Sequence, residues 1–173
     1  FNFFKFFFFM SKTVPVGVSN RHSHLSAEHV QVLFGHDLTS IKNLIQPGVF
    51  AADEMVTLVG PKGSIEKVRI LGPVRPDTQV EILASDSFKL GIAADFRISG
   101  DLDATPSCKL VGPAGEVVLD KGVIVALRHL HLAPNEALEY GLSDGDIISV
   151  KVPGKRGGTL DNVVVDRKST RLN

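Results

Sequence analysis

The chain has 173 residues, 43% of them hydrophobic, and its nineteen basic side chains balance nineteen acidic ones. That composition supplies a packed core for one domain or two small ones, and the zero formal charge leaves no global field to attract nucleic acid or a membrane surface. A single cysteine, Cys108, excludes an internal disulfide framework and fits a reducing, cytoplasmic setting; with no histidine near it in sequence, it reads as a buried thiol rather than a nucleophile.

In chain order, the first segment is FNFFKFFFFM, too short to span a bilayer and without the small-residue cleavage site of a signal peptide. Residues 1–13 are read as a non-native or disordered tract, either low-complexity sequence ahead of a start at Met10 or a short amphipathic targeting tag. VPVGV then leads to RHSHL at 21–25, and a helix is expected over 27–34, capped by Ser26 and closed by Gly35. Short aliphatic runs follow, among them MVTLVG, KVRILG, TQVEIL, GVIVAL, IISVKV and NVVV, separated by GP, PKG, PAG, SGD and DGD turn signals. A second helix is expected over 134–140, closed by Gly141, directly after RHLHL at 128–132.

Two elements recur. RHSHL returns as RHLHL, each followed by a short helix ending in glycine, and LVGPKG at 58–63 returns as LVGPAG at 110–115. Apolar periodicity fades between 91 and 106. The expected fold is therefore mostly β with short α-helices, built as two tandem related β-barrel domains, 14–93 and 94–165, with 166–173 a non-native end.

Side chains two apart on a strand share a face, so His22 and His24 project together, as do His129 and His131. Each pair can chelate one metal, and neutral imidazole suits zinc, copper, iron or nickel. Four of the six histidines falling in two matching motifs weighs against two accidental surface pairs, whereas His29 and His36 show no such pattern and read as a solvated face. Glu81, between apolar neighbours in TQVEIL, is the best carboxylate complement, although a strand glutamate facing water fits the local sequence equally well. Asp53 and Glu54 rank second as metal ligands, a cap being the commoner role for such a pair. Arg75 stands at a strand end, where its planar fork can hold a phosphate; alone, it reads more readily as a surface arginine. Phosphate-loop, dinucleotide-loop and serine-elbow motifs are all missing from the sequence.

The segments VPVGVSNRHSHLS, FAADEMVTLVGPKG, VRILGPVRPDTQVEI, FKLGI, SGDL and GVIVALRHLHLAP together resemble the phosphate propanoyltransferase (PduL-type) family over 14–165. The resemblance implies two β-barrel domains, a dinuclear zinc site and conversion of an acyl-CoA (propanoyl-CoA or acetyl-CoA) plus phosphate to an acyl phosphate plus coenzyme A, by direct metal-assisted attack of phosphate on the thioester. Carried over by motif, His22, His24 and Glu81 would hold the metal that meets the coenzyme A sulfur, and His129 and His131 the second metal. Arg75 falls on the catalytic phosphate-binding arginine, and Ser19, Lys42, Arg69 and Leu71 on coenzyme A contacts. No histidine follows His131, so the second site is expected to be incomplete, with KSTRLN read as the end of a truncated frame.

The resemblance also implies work within a bacterial microcompartment, in propanediol degradation, beside its enzymes or shell, and an edge-bearing β fold is compatible with a homodimer. Two other function classes use the same residues: a metal-dependent hydrolase or lyase, and a non-catalytic β-barrel module held by structural metal.

Overall fold

A computed structural model describes residues 12–46 and 48–167. The first half of the chain forms β1 (His22–His24), α1 (Ala27–Phe34), β2 (Ser40–Asn43), β3 (Phe50–Val59), β4 (Ser64–Gly72), β5 (Gln79–Glu81) and α2 (Asp86–Leu90). The rest forms β6 (Phe96–Arg97), β7 (Cys108–Val111), β8 (Glu116–Leu119), β9 (Val123–Ala126), β10 (His129–His131), α3 (Pro134–Tyr140), β11 (Ile147–Val152) and β12 (Gly158–Asp166). The phenylalanine tract and the terminal KSTRLN lie outside the described residues.

The expected helices form where the capping residues place them. Ser26 Oγ accepts the His29 N–H at 3.2 Å, Gly35 closes α1 at φ 74°, and the helix buries Val30, Leu33 and Phe34. At α3 the chain enters on Pro134, Glu136 accepts the Ala133 N–H at 2.8 Å, and Gly141 closes the helix. Helix α2 was not expected, because five residues are too few to display a helical period.

The mostly β composition with short helices is present, but the two tandem barrels are not. Nine strands form one sheet in the order β6-β9-β5-β1-β4-β3-β7-β8, with β2 added beside β3, and β10-β12-β11 form a separate three-stranded sheet. Neither ladder closes on itself among the described residues. The reason lies in how the repeated pieces interleave. The LVGPAG turn docks on a helix of the first half, the Ala114 N–H donating to Leu33 O of α1, while the LVGPKG turn docks within that half, the Lys62 N–H donating to Leu90 O of α2, both at 3.0 Å. A Cβ on Gly112 or Gly60 would run into those same carbonyls, so only glycine permits the approach. Strand β7 pairs with β3 and strand β9 with β5, so their apolar faces complete one core with the first half instead of closing a second barrel. A small core of Leu132, Ala137 and Val165 lies under the second sheet.

Beside the first histidine pair, Arg21 donates to both carboxylate oxygens of Asp86, at 2.7 and 2.9 Å, and Asp86 also accepts the Leu83 N–H. Burial pushes the Asp86 carboxyl up, but the Arg21 hydrogen bond and the Leu83 N–H outweigh it and hold the group below its ordinary 3.8. A carboxyl depressed in the folded state stabilises fully above its unfolded pKa, and the contribution fades as the pH falls through the folded value. Asp86→Asn is therefore expected to lower stability by about 1–3 kcal/mol at pH 7, the net range for hydrogen bonds to charged groups. Urea unfolding should show that gap closing below about pH 4.

Candidate metal and phosphate site

Strand β1 lies between β4, to which it is parallel, and β5, to which it is antiparallel. The register sets His22 opposite Glu81 and His24 opposite Gln79, so four polar side chains share one face of two neighbouring strands. His22, His24 and Glu81 offer ligand atoms within 4.8 Å of one another, and His22 Nε2 lies 3.4 Å from Glu81 Oε2. The cluster is largely buried: His24 is 4% exposed and Glu81 7%, while His22 is half-buried.

Both imidazoles are oriented by main-chain carbonyls. His22 Nδ1 lies 2.9 Å from Asn20 O, and His24 Nδ1 lies 3.1 Å from Leu71 O. A carbonyl only accepts, so each Nδ1 carries the proton and each Nε2 presents a lone pair, the arrangement that holds a metal-ligating histidine. Burial, then the Arg75 charge, drives His24 down to about 3, so it is neutral near pH 7. Burial also disfavours a charged His22, but its hydrogen bond and charge attraction to Glu81 prevail and raise it. Burial alone would push the Glu81 carboxyl up; His22, His24 and Arg75 hold it at about 2 instead. Two imidazoles and an ionised carboxylate are a donor set that fits a divalent transition metal.

Arg75 is half-buried and anchored through its backbone N–H to Leu25 O at 2.8 Å. Its Nη1 donates to Ser99 Oγ at 3.0 Å, and the carboxylates of Glu81 and Asp166 partly offset the effect of burial, which lowers its pKa. Asp166 ends β12 of the smaller sheet, so Arg75 feels carboxylates from both sheets.

The second pair repeats the first in part. His129 Nδ1 lies 2.7 Å from Leu127 O, two residues back, as His22 does with Asn20, and His131 Nδ1 lies 3.3 Å from Asp166 Oδ2. The two Nε2 atoms face each other at 3.1 Å. No third histidine, cysteine or carboxylate joins them in a ligand cluster among the described residues.

The other sequence-derived positions are dispersed. Ser19 lines a cleft of about 120 Å³ with Asn20, Glu81, Ile82 and Ala126. Arg69 is the register neighbour of His22 on β4 and donates to Ala52 O at 2.7 Å, while Leu71 supplies the carbonyl that orients His24. Lys42 is exposed on β2, opposite Ala51, which in turn lies opposite Leu71. Glu54 takes the Thr39 N–H on both oxygens at 3.0 Å, away from the cluster, and Asp53 is exposed. His36 is exposed, but His29 is half-buried with its ring 2.7 Å from Thr78 Oγ1. Cys108 is buried in β7, and burial pushes its thiol up to about 12, which removes it as a nucleophile at neutral pH.

Two residues of the site escaped the sequence reading. Gln79 and Ser99 link Arg75 to Glu81 by hydrogen bonds. The position of Gln79, two before Glu81 on the same strand, was the available signal.

Comparison with known proteins gives the arrangement its lineage. The family profile described as phosphate propanoyltransferase matches residues 15–172. A Thermotoga maritima protein named phosphate propanoyltransferase is 53% identical over 155 residues, covering 88% of this chain and 74% of that protein. Proteins of the same name from Rhodobacter capsulatus and Salmonella typhimurium are 52% and 50% identical, covering 88% and 91% of this chain and 72% and 76% of their own lengths. With a profile match over nearly its whole length and relatives at 50–53% identity that cover most of it, the chain belongs to the phosphate propanoyltransferase family of enzymes.

Proposed function

We propose that this chain transfers an acyl group between coenzyme A and inorganic phosphate, acting on propanoyl-CoA and, as a shorter substrate of the same chemistry, acetyl-CoA. The observation that carries the reading is the buried His22–His24–Glu81 cluster beside a half-buried arginine whose fork is mostly unengaged. Among the described residues only Arg75 Nη1 donates, to Ser99, out of five guanidinium N–H groups. A fixed cation with donors to spare, next to a metal-ligand set, suits a tetrahedral oxyanion such as phosphate.

His22, His24 and Glu81 would hold a zinc ion, which supplies Lewis-acid stabilisation to charge developing on the thioester oxygen and the departing sulfur. His129 and His131 are proposed to hold a second ion. In support, His129 Nδ1 faces Leu127 O, which leaves its Nε2 a lone pair, and that Nε2 lies 3.1 Å from His131 Nε2, close enough for both to meet one ion.

Arg75 holds phosphate by hydrogen bonds and charge, so that attack on the bound thioester is effectively unimolecular. An unprotonated phosphate oxygen forms the new C–O bond, the C–S bond breaks, and the electron pair leaves on sulfur as thiolate. The attacking dianion needs no base to remove a proton. Coenzyme A is proposed to lie along the face shared by Lys42, Leu71 and Arg69, entering beside Ser19. In support, the rows Lys42–Ala51–Leu71 and Arg69–His22–Glu81 are adjacent in the register of the large sheet.

Product identity tests the reading. With propanoyl-CoA and phosphate, hydroxylamine trapping is expected to recover acyl phosphate in a one-to-one ratio with free thiol. Release of propanoate and thiol at the same rate without phosphate would overturn the transferase reading in favour of a metal-dependent hydrolase.

A further inference from the structure

Gln79 is 1% exposed and makes three hydrogen bonds through its side chain. Its Oε1 accepts the Gly100 N–H at 2.7 Å, and a backbone N–H can only donate, so the amide orientation is fixed. Nε2 therefore faces the other way, donating to Glu81 Oε1 at 2.7 Å and to Ser99 Oγ at 2.9 Å. Ser99 Oγ also accepts from Arg75 Nη1 at 3.0 Å. A continuous chain of hydrogen bonds thus runs from Arg75 through Ser99 and Gln79 to Glu81.

We propose that Gln79 is a positioning residue that couples the phosphate-holding arginine to the metal-ligand cluster, by fixing one oxygen of Glu81 and, through Ser99, the guanidinium of Arg75. The inference rests on Arg75 being the phosphate ligand. Its physical content is that Glu81 has two oxygens with divided duties. Oε2 faces His22, and Oε1 is held by Gln79, which keeps the carboxylate from rotating. Groups that orient a metal ligand in this way typically change metal affinity about 10–100-fold when removed. The link to Ser99 predicts a second effect, on phosphate.

Gln79→Met keeps the volume and removes both donors and the acceptor. It is expected to weaken zinc binding about 10–100-fold, read by chelator competition, and to raise the phosphate KM about tenfold or more, with the acyl-CoA KM little changed. Ser99→Ala cuts only the arm to Arg75, so it should raise the phosphate KM while leaving zinc affinity as in the parent. In the double variant the phosphate effects should be less than additive, because both single changes break the same chain. Unchanged zinc affinity in Gln79→Met, an equal loss of zinc in Ser99→Ala, or additive phosphate effects would each overturn the coupling. Should Gln79→Met fail to fold, an unchanged phosphate KM in Ser99→Ala overturns it alone. Failure of the underlying reading has a different signature: Arg75→Ala would leave the phosphate KM unchanged whatever happens to zinc.

Discussion

Replacing His22 and His24 together with alanine is expected to remove one bound metal per chain and reduce phosphate-dependent thiol release by at least about a thousandfold, the scale of loss when the main electrostatic stabiliser of a transition state is deleted. The two imidazoles supply two of the three ligand atoms gathered within 4.8 Å, and Glu81 by itself cannot replace them. The variant also changes Glu81. The carboxyl is held at about 2 against burial chiefly by the hydrogen bond and charge of His22, with His24 and Arg75 adding to these, so losing both histidines moves its pKa up toward the value burial favours. Elemental analysis and the thiol assay should therefore fail together. Because β1 also carries buried main chain at the centre of the large sheet, thermal unfolding must show that the variant remains folded before the loss is assigned to the site. A folded variant with full metal content would show that this cluster is not the metal centre.

Arg75→Ala should separate phosphate handling from metal binding. Arg75 is anchored at its backbone and at Nη1, and none of its hydrogen bonds goes to His22, His24 or Glu81, although its charge adds to keeping His24 neutral and Glu81 ionised. Loss of two charge-assisted hydrogen bonds to phosphate corresponds to about 100- to 10,000-fold in kcat/KM for phosphate, with metal content near that of the parent. Arg75→Lys should recover only part, since an ammonium keeps the charge without the fork. Unchanged phosphate kinetics in the alanine variant would sink the assignment.

Much of the local structure was legible in the sequence, for identifiable reasons. Ser26 and Gly35 bracket α1 and Gly141 closes α3, because capping chemistry acts within one turn. The two-residue period of a strand was enough to put His22 beside His24 and His129 beside His131. What sequence could not supply was the pairing partner of each strand. Nothing local in KLVGPAG says that β7 pairs with β3, or that the turn after it seats on Leu33 of α1, and without those contacts a duplicated motif reads as two separate barrels. Glu81 illustrates the same limit. Its local sequence fits a water-facing strand as well as a ligand, and only the antiparallel register with β1 brings it opposite His22. Gln79 and Ser99 were illegible in pairing and chemistry alike, since an amide and a hydroxyl carry no motif until the chain brings them to Arg75 and Glu81.

The same register distinguishes the two histidine pairs. Strand β1 has neighbours on both sides, and one of them brings the carboxylate; β10 is an edge strand, paired only to β12 among the described residues. Its one described neighbour sets Asp166 in register with His131, with Oδ2 3.3 Å from His131 Nδ1, but no three-ligand cluster like that of Glu81 forms there among the described residues.

Transfer of the acyl group to phosphate at a metal-bearing site is the proposed activity. Thiol release from propanoyl-CoA, measured with and without phosphate on protein of known zinc content, tests it most directly. Release is expected to require phosphate, to rise with zinc occupancy and to disappear in the His22→Ala/His24→Ala variant. Zinc-loaded protein that releases no thiol from propanoyl-CoA or acetyl-CoA, or releases it equally without phosphate, would contradict it.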